Sequence, residues 1–487
     1  MTNETIMQYF EWYLPDDGQH WQHLAQDAQH LSEIGISKVW MPPAFKGTGS
    51  NDVGYGVYDI YDLGEFDQNG TIRTKYGTKE DYLTAVKALK EQGIMPISDI
   101  VLNHKANGDA KEKFEVIKVN PSNRQEKISE PYEIEAWTQF NFPGRQNAYS
   151  DFKWHWYHFT GVDYDALHNE TGIYMILGDN KGWANQENID QENGNYDYLM
   201  YDDIDFKHPE VQEHLKEWAG WFLQTSGVGG FRLDAVKHID KQFMAEFIGY
   251  IRDHFKENLY VFGEYWKDSN FDITDYLNDT GLQMDLIDVM LHMNFFEAGQ
   301  KGADFNLATI LDDSLMQSNP DFAVTFVDNH DSQGGQALES TVAEWFKPLA
   351  YSLILLRQEG MPCVFYGDYY GISGDFAQES FQTVLDKLLY IRKYHVYGPT
   401  EDYFDHPNCI GWTCLGDEEH PDGLAVVMTN GDAGWKHMTM GEYNKNKVFV
   451  DYLGNCSDEV VLDDQGWGDF PVQAGSVSAW VNKDAHL

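Results

Sequence analysis

The chain of 487 residues is poor in basic side chains. It has 34 Lys and Arg against 79 Asp and Glu, which gives a formal net charge of −45. A surface this negative repels phosphate backbones and anionic lipid headgroups, so we expect neither a nucleic-acid partner nor a membrane partner. A neutral or cationic ligand fits the charge better.

Cysteine is scarce as well. The four cysteines are Cys363, Cys409, Cys414 and Cys456. They are too few to staple a chain of this length, and they contain no C-x-x-C metal pair, so we predict free thiols. Only Cys409 and Cys414 are spaced to face each other, in a predicted hairpin.

Long hydrophobic runs and a secretory leader are also lacking. The longest apolar run, Leu349 to Leu356, ends at Arg357 and is far shorter than the roughly 20 residues that cross a bilayer. The first five residues contain no basic segment followed by an apolar run. We therefore expect a soluble, cytoplasmic, monomeric protein, although the trimmed mature chain of a secreted protein would look similar.

The residues that are present indicate a folded chain of several domains. Hydrophobic residues make up 42% and aromatic residues 15%, which excludes general disorder. Helical stripes alternate with β-rich runs such as 94–101 and 229–236 over the first 395 residues. This alternation predicts a parallel sheet, either open or closed into an eight-stranded barrel.

Two regions interrupt the alternation. About 100 residues separate the strand that ends near Asn103 from the helix that starts near Pro209, which is too long for an ordinary connection. Beyond about residue 395, short strands alternate with Gly, Asn and Asp, as is typical of an antiparallel β domain. We predict a barrel (1–103 and 206–394), an inserted subdomain (104–205) and a C-terminal β-sandwich (395–487).

Ionisable residues concentrate in four segments at or just beyond predicted strand ends: 99–104, 230–238, 261–266 and 326–331. In a barrel the carboxyl ends of the strands converge on one face, so these distant segments would meet in one cleft. Charged residues within apolar runs are costly unless they are paired, which makes them candidates for a site. Some of them could instead be structural ion pairs.

These four segments, in this order, resemble the signature regions of the α-amylase family of glycoside hydrolases. The resemblance extends to residues 8–12, 54–56 and 193–199 and is strongest to bacterial liquefying-type and intracellular members. It implies a (β/α)8 barrel with an inserted domain and a C-terminal β-sandwich. It also implies endo-acting hydrolysis of α-1,4-glucosidic bonds in starch, glycogen or maltodextrins.

The chemistry of a retaining glycosidase suits three of these carboxyl groups. One carboxylate attacks the anomeric carbon, and a protonated carboxyl about 5–5.5 Å away protonates the leaving oxygen. By resemblance, Asp234 is the nucleophile and Glu264 the general acid, and Asp331 stabilises the transition state. The apolar neighbours of Glu264 should raise its pKa, whereas Arg232 can hold Asp234 ionised.

The resemblance and the composition of the segments also suggest residues that contact the sugar. His104 and His330 would donate to hydroxyl groups, Lys237 and His238 would contact the leaving-group side, and Tyr55 would stack on the ring. Further candidates, each with a structural alternative, are Arg232, Trp12, Tyr196 and Trp266.

The family's structural calcium ion implies a metal site here. Its matching ligands are Asn103, Asp197, Asp203 and the backbone carbonyl of His238, all oxygen donors of the kind calcium prefers. The alternative is a solvated acidic turn. Thermostable secreted relatives hold further ions through two aspartates of the insertion. One of these positions is Thr160 here and the other falls near Asn185 or Gln186, which are all neutral residues, so we expect one calcium ion.

Other functions remain open at this stage. The same scaffold could form maltooligosaccharides, transfer glucosyl units, or bind glucan without catalysis. A metallohydrolase that uses Asp99, His104, His330 and Asp331 as ligands is a further alternative, although it lacks the usual close histidine spacing.

Overall fold

A closed barrel of eight parallel strands forms the centre of the protein in a computed structural model that describes residues 3–485. Each strand pairs with the next along the chain, and the eighth closes on the first. The strands are β1 (Ile6–Gln8), β2 (Lys38–Met41), β3 (Met95–Ile100), β4 (Gly230–Leu233), β5 (Tyr260–Gly263), β6 (Asp285–Ile287), β7 (Ala323–Phe326) and β8 (Met361–Phe365).

Helices follow the strands around the barrel. Local chemistry sets their ends: Thr78 caps the second helix through a reciprocal pair of hydrogen bonds with Asp81, and Pro209 opens the third. The helices are α1 (His20–Glu33), α2 (Lys79–Glu91), α3 (Pro209–Ser226), α4 (Lys241–His254), α5 (Asn270–Asp279), α6 (Val289–Lys301), α7 (Leu315–Ser318), α8 (Lys347–Leu355), α9 (Tyr366–Tyr370) and α10 (Gln382–His395).

A separate antiparallel sheet lies between β3 and α3. Its strand order brings the segment just after β3 beside the segment just before α3, so the excursion leaves and rejoins the barrel at one place. Its strands are His104–Lys105, Ala110–Asn120, Asn123–Lys127, Tyr132–Gln139, Phe159–Asp165, Glu170–Ile176 and Asp202–Ile204.

The last part of the chain is all β. Six strands form one antiparallel sheet, and two further strands pair with each other and pack against it. The strands are Thr400–Tyr403, Cys409–Cys414, Leu424–Thr429, Gly434–Thr439, Val448–Asp451, Glu459–Val461, Trp467–Val472 and Val477–Asn482.

The predicted fold class, a barrel with an insertion and a C-terminal antiparallel β domain, is confirmed. The first two and last two residues, which are the outer ends of the predicted barrel and sandwich ranges, lie outside the described residues. All four cysteines are free and buried. The expected facing of Cys409 and Cys414 was wrong, because they begin and end a single strand. Within residues 3–485, no helix is long and apolar enough to cross a bilayer.

One strand is shorter than its apolar run. The run 229–236 predicts a strand of that length, but β4 ends at Leu233 because Ala235 adopts a left-handed backbone conformation with φ 50°. The chain turns there toward the carboxyl end of the barrel. This turn leaves Asp234 at the rim instead of within the wall.

Candidate active site

Asp234 and Glu264 occupy equivalent places on adjacent strands. Asp234 directly follows β4, and its N–H donates to the carbonyl of Ile100 at 3.0 Å. Glu264 directly follows β5, and its N–H donates to the carbonyl of Leu233 at 2.9 Å. The ladder of the barrel wall therefore holds both backbones, and both carboxyl groups lie at the carboxyl face, where barrel enzymes place their sites.

Arg232 ties these carboxyl groups together from inside the barrel, with a side chain only 1% exposed. Its Nη1 donates to Asp234 Oδ1 at 2.6 Å, and its Nη2 is bonded to Glu264. Nη1 also lies 2.9 and 3.0 Å from the two oxygens of Asp99. Burial opposes the charge of the guanidinium group, but these three carboxyl groups raise the pKa of Arg232 well above its usual range.

Asp99 connects the guanidinium group to the wall of the cleft. It accepts hydrogen bonds from Trp40 Nε1 at 3.0 Å and from the Tyr55 hydroxyl at 2.9 Å. Burial, with Asp234 nearby, raises the pKa of Asp99 to about 6 although Arg232 acts in the opposite direction. The sequence analysis placed Asp99 in a charged segment without giving it this role. The signal available in the sequence was the position of Asp99 two residues before the end of the β-rich run 94–101.

Burial dominates the electrostatics of Glu264. Burial raises the pKa of this carboxyl well above its usual range, and the charges of Asp234 and Asp331 raise it further. Together these effects outweigh the charge of Arg232, which lowers the pKa. The predicted direction of the shift therefore agrees with the structure, but neighbouring carboxylates contribute as well as the apolar side chains.

Asp331 reaches the same cleft from the loop after β7. Burial raises its pKa to about 7, and the charges of Asp234 and Asp99 act in the same direction. His330 Nε2 lies 3.3 Å from Asp331 Oδ2, and its Nδ1 lies 3.0 Å from Gln8 Nε2. The charges of Asp234 and Asp331 thus act on Glu264, and the charge of Asp234 also acts on Asp331.

Aromatic rings form one wall of the cleft. The rings of Tyr55, Trp12 and His330 lie nearly parallel and beside one another, with the Tyr55 centroid 5.9 Å from Trp12 and 5.2 Å from His330, and Trp12 and His330 6.2 Å apart. His104 Nε2 lies 2.7 Å from the carbonyl oxygen of Tyr55 and fixes this segment. Trp12 and Tyr55 are half-buried, so part of each ring can contact a sugar.

A second group of residues lies on the side of the inserted sheet. Lys237 Nζ donates to Glu192 Oε2 at 2.5 Å and to the carbonyl of Trp266 at 3.1 Å. The same nitrogen lies 4.9 Å from the ring centroid of Tyr196. His238 Nδ1 donates to the Tyr196 carbonyl at 2.8 Å. The sequence analysis missed Glu192, since its contact with Lys237 spans 45 positions.

Trp266 differs from the other aromatic candidates. Its ring packs against α6 and the end of β7, with centroids 5.8 Å from His292 and 6.1 Å from Phe326. The residue is half-buried. Trp266 contacts Lys237 through its backbone carbonyl, which accepts a hydrogen bond from Lys237 Nζ.

Asn103 and Asp203, two of the candidate calcium ligands, lie side by side where the inserted sheet meets the barrel. Asn103 Nδ2 lies 3.5 Å from Asp203 Oδ1, and Asn103 Oδ1 is buried without a hydrogen-bond partner among residues 3–485. Burial raises the pKa of Asp197 to about 7, with the charge of Asp205 acting in the same direction. Burial also raises the pKa of Asp203 well above its usual range, and the charge of Asp197 adds to that effect. The ring of His238 reaches the carbonyl of Tyr196, the residue before Asp197. An unpaired oxygen beside two buried carboxyl groups suits a hard cation.

Neighbouring groups occupy the rest of this acidic region. The Thr160 hydroxyl donates to Asp203, and the Lys181 ammonium group lies 2.7 Å from Asp205 Oδ2. Both donors compete with metal ions for these oxygens.

The four residues of the alternative metallohydrolase do not form a ligand group. Among the described residues, only one group of three metal-ligating side chains has its ligand atoms close enough to hold an ion. It consists of His158, His208 and Glu210. Asp99 instead uses its oxygens on Arg232, Trp40 and Tyr55.

Two acidic side chains, Asp234 and Glu264, lie together at the C-terminal ends of β4 and β5 in an eight-stranded barrel. This arrangement is typical of a class of barrel hydrolases that use a pair of carboxyl groups. The family described as "Alpha amylase, catalytic domain" matches residues 14–394, and "Alpha-amylase C-terminal" matches residues 424–481. The chain therefore belongs to the α-amylase family. The predictions of this family and of a glycoside hydrolase are confirmed.

Relatives align over nearly the whole chain. The Alpha-amylase of Geobacillus stearothermophilus is 50% identical over 98% of this chain and 87% of its own. The Glucan 1,4-alpha-maltohexaosidase of Bacillus sp. (strain 707) is 49% identical over 99% and 93%. The Cytoplasmic alpha-amylase of Escherichia coli (strain K12) is 42% identical over 99% of both chains. The Geobacillus thermoleovorans α-amylase complexed with acarbose has the same fold, with a TM-score of 0.65, 18% identity and coverage of 100% and 99%.

Proposed function

We propose that Asp234, Glu264 and Asp331 carry out endo-acting hydrolysis of α-1,4-glucosidic bonds in starch, glycogen and maltodextrins, with retention of configuration. The supporting observation is the pairing of Asp234 and Glu264 on one buried arginine at adjacent strand ends, with Asp331 close enough to affect the pKa of Glu264. Retaining chemistry needs two carboxyl groups with different protonation states in one cleft.

The first step forms a glycosyl-enzyme. An oxygen of Asp234 attacks the anomeric carbon, the bond to the leaving oxygen breaks, and Glu264 transfers its proton to that oxygen. The raised pKa of Glu264 keeps this proton in place before the reaction. Asp331 offers negative charge to the oxocarbenium-like transition state, and Arg232 holds Asp234 in position.

The second step releases the sugar. Glu264, now ionised, takes a proton from water, and the resulting oxygen nucleophile displaces Asp234 from the anomeric carbon. Two inversions give net retention. Trp12 and Tyr55 offer ring faces for the apolar side of a glucose unit, and His104, Lys237, His238, His330, Tyr196 and Trp266 complete the proposed sugar contacts.

Replacing Glu264 by Gln tests the assignment against its partner Asp234. The substitution removes the transferable proton and should lower kcat on amylose by roughly 10²–10⁴-fold. A maltooligosaccharide carrying a good aryl leaving group needs no protonation, so its first step should be largely retained in E264Q and lost in D234N. The separate roles would be contradicted if activity on both substrates fell by a comparable factor in both variants while circular dichroism showed unchanged folding.

A maltooligosaccharide-forming activity is the second candidate, and the relative named as a maltohexaosidase favours it. Time courses on amylose separate the two. Internal cuts reduce viscosity before reducing ends accumulate, whereas release of one oligosaccharide from chain ends lowers viscosity only in proportion to reducing ends. A transglycosylase would give products longer than the substrate, and a non-catalytic glucan-binding protein would give no product.

A single structural calcium ion is part of the proposal. Asn103, Asp197, Asp203 and the backbone carbonyl of His238 would hold it between the inserted sheet and the barrel, which it would stabilise. The unpaired Asn103 oxygen supports the site, and the donors from Thr160 and Lys181 support one ion instead of several.

We also propose that the enzyme acts as a monomer in the cytoplasm. One relative is named as cytoplasmic, which supports the proposed location. Light scattering of the purified chain and fractionation of the native cells test these two points.

A further inference from the structure

A cluster of two imidazoles and one carboxylate lies away from the proposed catalytic carboxyl groups. Its members are His158, His208 and Glu210, and their ligand atoms lie within 4.8 Å of one another. His158 ends a short helical turn (Trp156–His158) of the inserted segment, His208 precedes α3, and Glu210 lies in the first turn of α3. The cluster therefore bridges the insertion and a barrel helix.

The backbone fixes the position of both histidines. The N–H of Asp205 donates to the carbonyl of His158 at 2.9 Å, and the N–H of His208 donates to the carbonyl of Asp205 at 3.0 Å. His158 Nδ1 accepts the N–H of His155 at 3.0 Å. This bond leaves His158 Nε2 facing Glu210, whose Oε2 lies 3.2 Å away.

The third ligand has an unused nitrogen. His208 Nδ1 is shielded from solvent and has no hydrogen-bond partner within residues 3–485. A buried polar atom without a partner costs free energy, so it calls for an occupant. The His158 and His208 rings are nearly perpendicular at 84°, with centroids 4.8 Å apart, an edge-to-face contact that holds the two imidazoles beside each other.

We propose that His158, His208 and Glu210 bind one divalent transition-metal ion of the zinc class. Imidazole nitrogens with one carboxylate oxygen suit Zn²⁺, whereas Ca²⁺ prefers six to eight oxygens. Bonds of about 2.0–2.1 Å place adjacent zinc ligands roughly 3.4 Å apart, whereas the ligand atoms here lie within 4.8 Å of one another, so a shift of at most about 1.4 Å closes the cluster. The Glu210 side chain is 65% exposed and can make that shift, with water completing the shell.

The ion has a structural role. It joins the inserted segment to α3 and stabilises the folded chain by mass action, independently of the calcium ligands and of glucan hydrolysis. At a free Zn²⁺ concentration of about 100 times Kd, the expected rise in Tm is roughly 2–3 °C for a chain of this length.

Calorimetric titration with Zn²⁺ of the full chain, saturated with Ca²⁺ and freed of transition metals, tests the site. We expect one Zn²⁺ per chain and, with Co²⁺ in its place, the visible absorption of a low-coordinate nitrogen–oxygen site. H208N keeps a side chain able to cap α3, and E210Q changes an exposed position. Each should weaken binding about tenfold or more.

Glu213, exposed on the same helix, provides the matched control, and E213Q should bind Zn²⁺ as the unmodified chain does. No saturable Zn²⁺ binding in the unmodified chain would overturn the proposal. Unchanged binding in both H208N and E210Q would overturn it equally, since other surface histidines would then hold the metal.

Discussion

Replacing Arg232 by Gln removes the single cation that is paired with Asp99, Asp234 and Glu264. Breaking a buried ion pair by deleting one partner costs about 3–5 kcal/mol, because an uncompensated charge stays buried. We therefore expect R232Q to lose about that much free energy of unfolding near neutral pH. This is a large share of the roughly 5–15 kcal/mol that stabilises typical proteins.

The loss should depend on pH in a defined direction. Burial raises the pKa of Asp99 to about 6 and that of Glu264 well above its usual range, whereas the charge of Arg232 lowers both. Without Arg232 both values rise further. A carboxyl whose folded pKa exceeds its unfolded value of about 4 destabilises the fold as pH rises from that value through the folded pKa. The deficit of R232Q should thus be smaller at about pH 5 than at about pH 8.

Urea unfolding followed by tryptophan fluorescence, with calcium present, measures the deficit at both pH values. Arg357→Gln is the matched control. Arg357 is also buried, but its partners Asp402 and Glu359 have side chains 47% and 35% exposed and can be solvated when it is lost. Equal losses in the two variants, or a deficit of R232Q that shrinks as pH rises, would refute the electrostatic reasoning.

Three further predictions concern the cleft and the calcium site. Burial is the main cause of the raised pKa of Glu264, and the negative charge of Asp331 adds to it. Asp331→Asn removes that charge, so the alkaline limb of the pH profile of the residual kcat/KM should move to lower pH. An unmoved limb would mean that the two groups do not interact. Tyr55→Ala should raise KM for maltodextrins roughly 5–10-fold through lost stacking, whereas Tyr55→Phe, which loses only the bond to Asp99, should change KM less. Chelation of calcium should lower Tm in calorimetry, and titration with calcium should then give one ion per chain. An unchanged Tm would count against the site. Binding of two or more ions would count against the argument that Thr160 and Lys181 occupy the oxygens that further ions would need.

A local signal predicted the start of α3 because it acts over a few residues. Pro209 lies at the first position of that helix, as expected. The end of β4 was placed too late, because an apolar run does not record the left-handed turn at Ala235. The spacing of Cys409 and Cys414 indicated a hairpin, but an apolar strand can run through both.

Contacts between distant segments lay beyond such signals. The bond from Lys237 to Glu192, the packing of Trp266 against Phe326 and the bond between Asp99 and Arg232 all depend on side-chain directions that the barrel sets. The same holds for His158 and His208, which meet because the inserted sheet returns to the barrel beside its starting point.

The amino-acid order alone determined the alternation of strands and helices, the family and the carboxyl groups of the candidate site, since periodicity and short motifs are properties of neighbouring residues. Tertiary structure decided which of those charges share Arg232, which carboxyl groups have a pKa raised by burial and which histidines meet. Burial and distance exist only once the barrel has closed, and they set the pKa values and ligand geometries on which the chemistry depends.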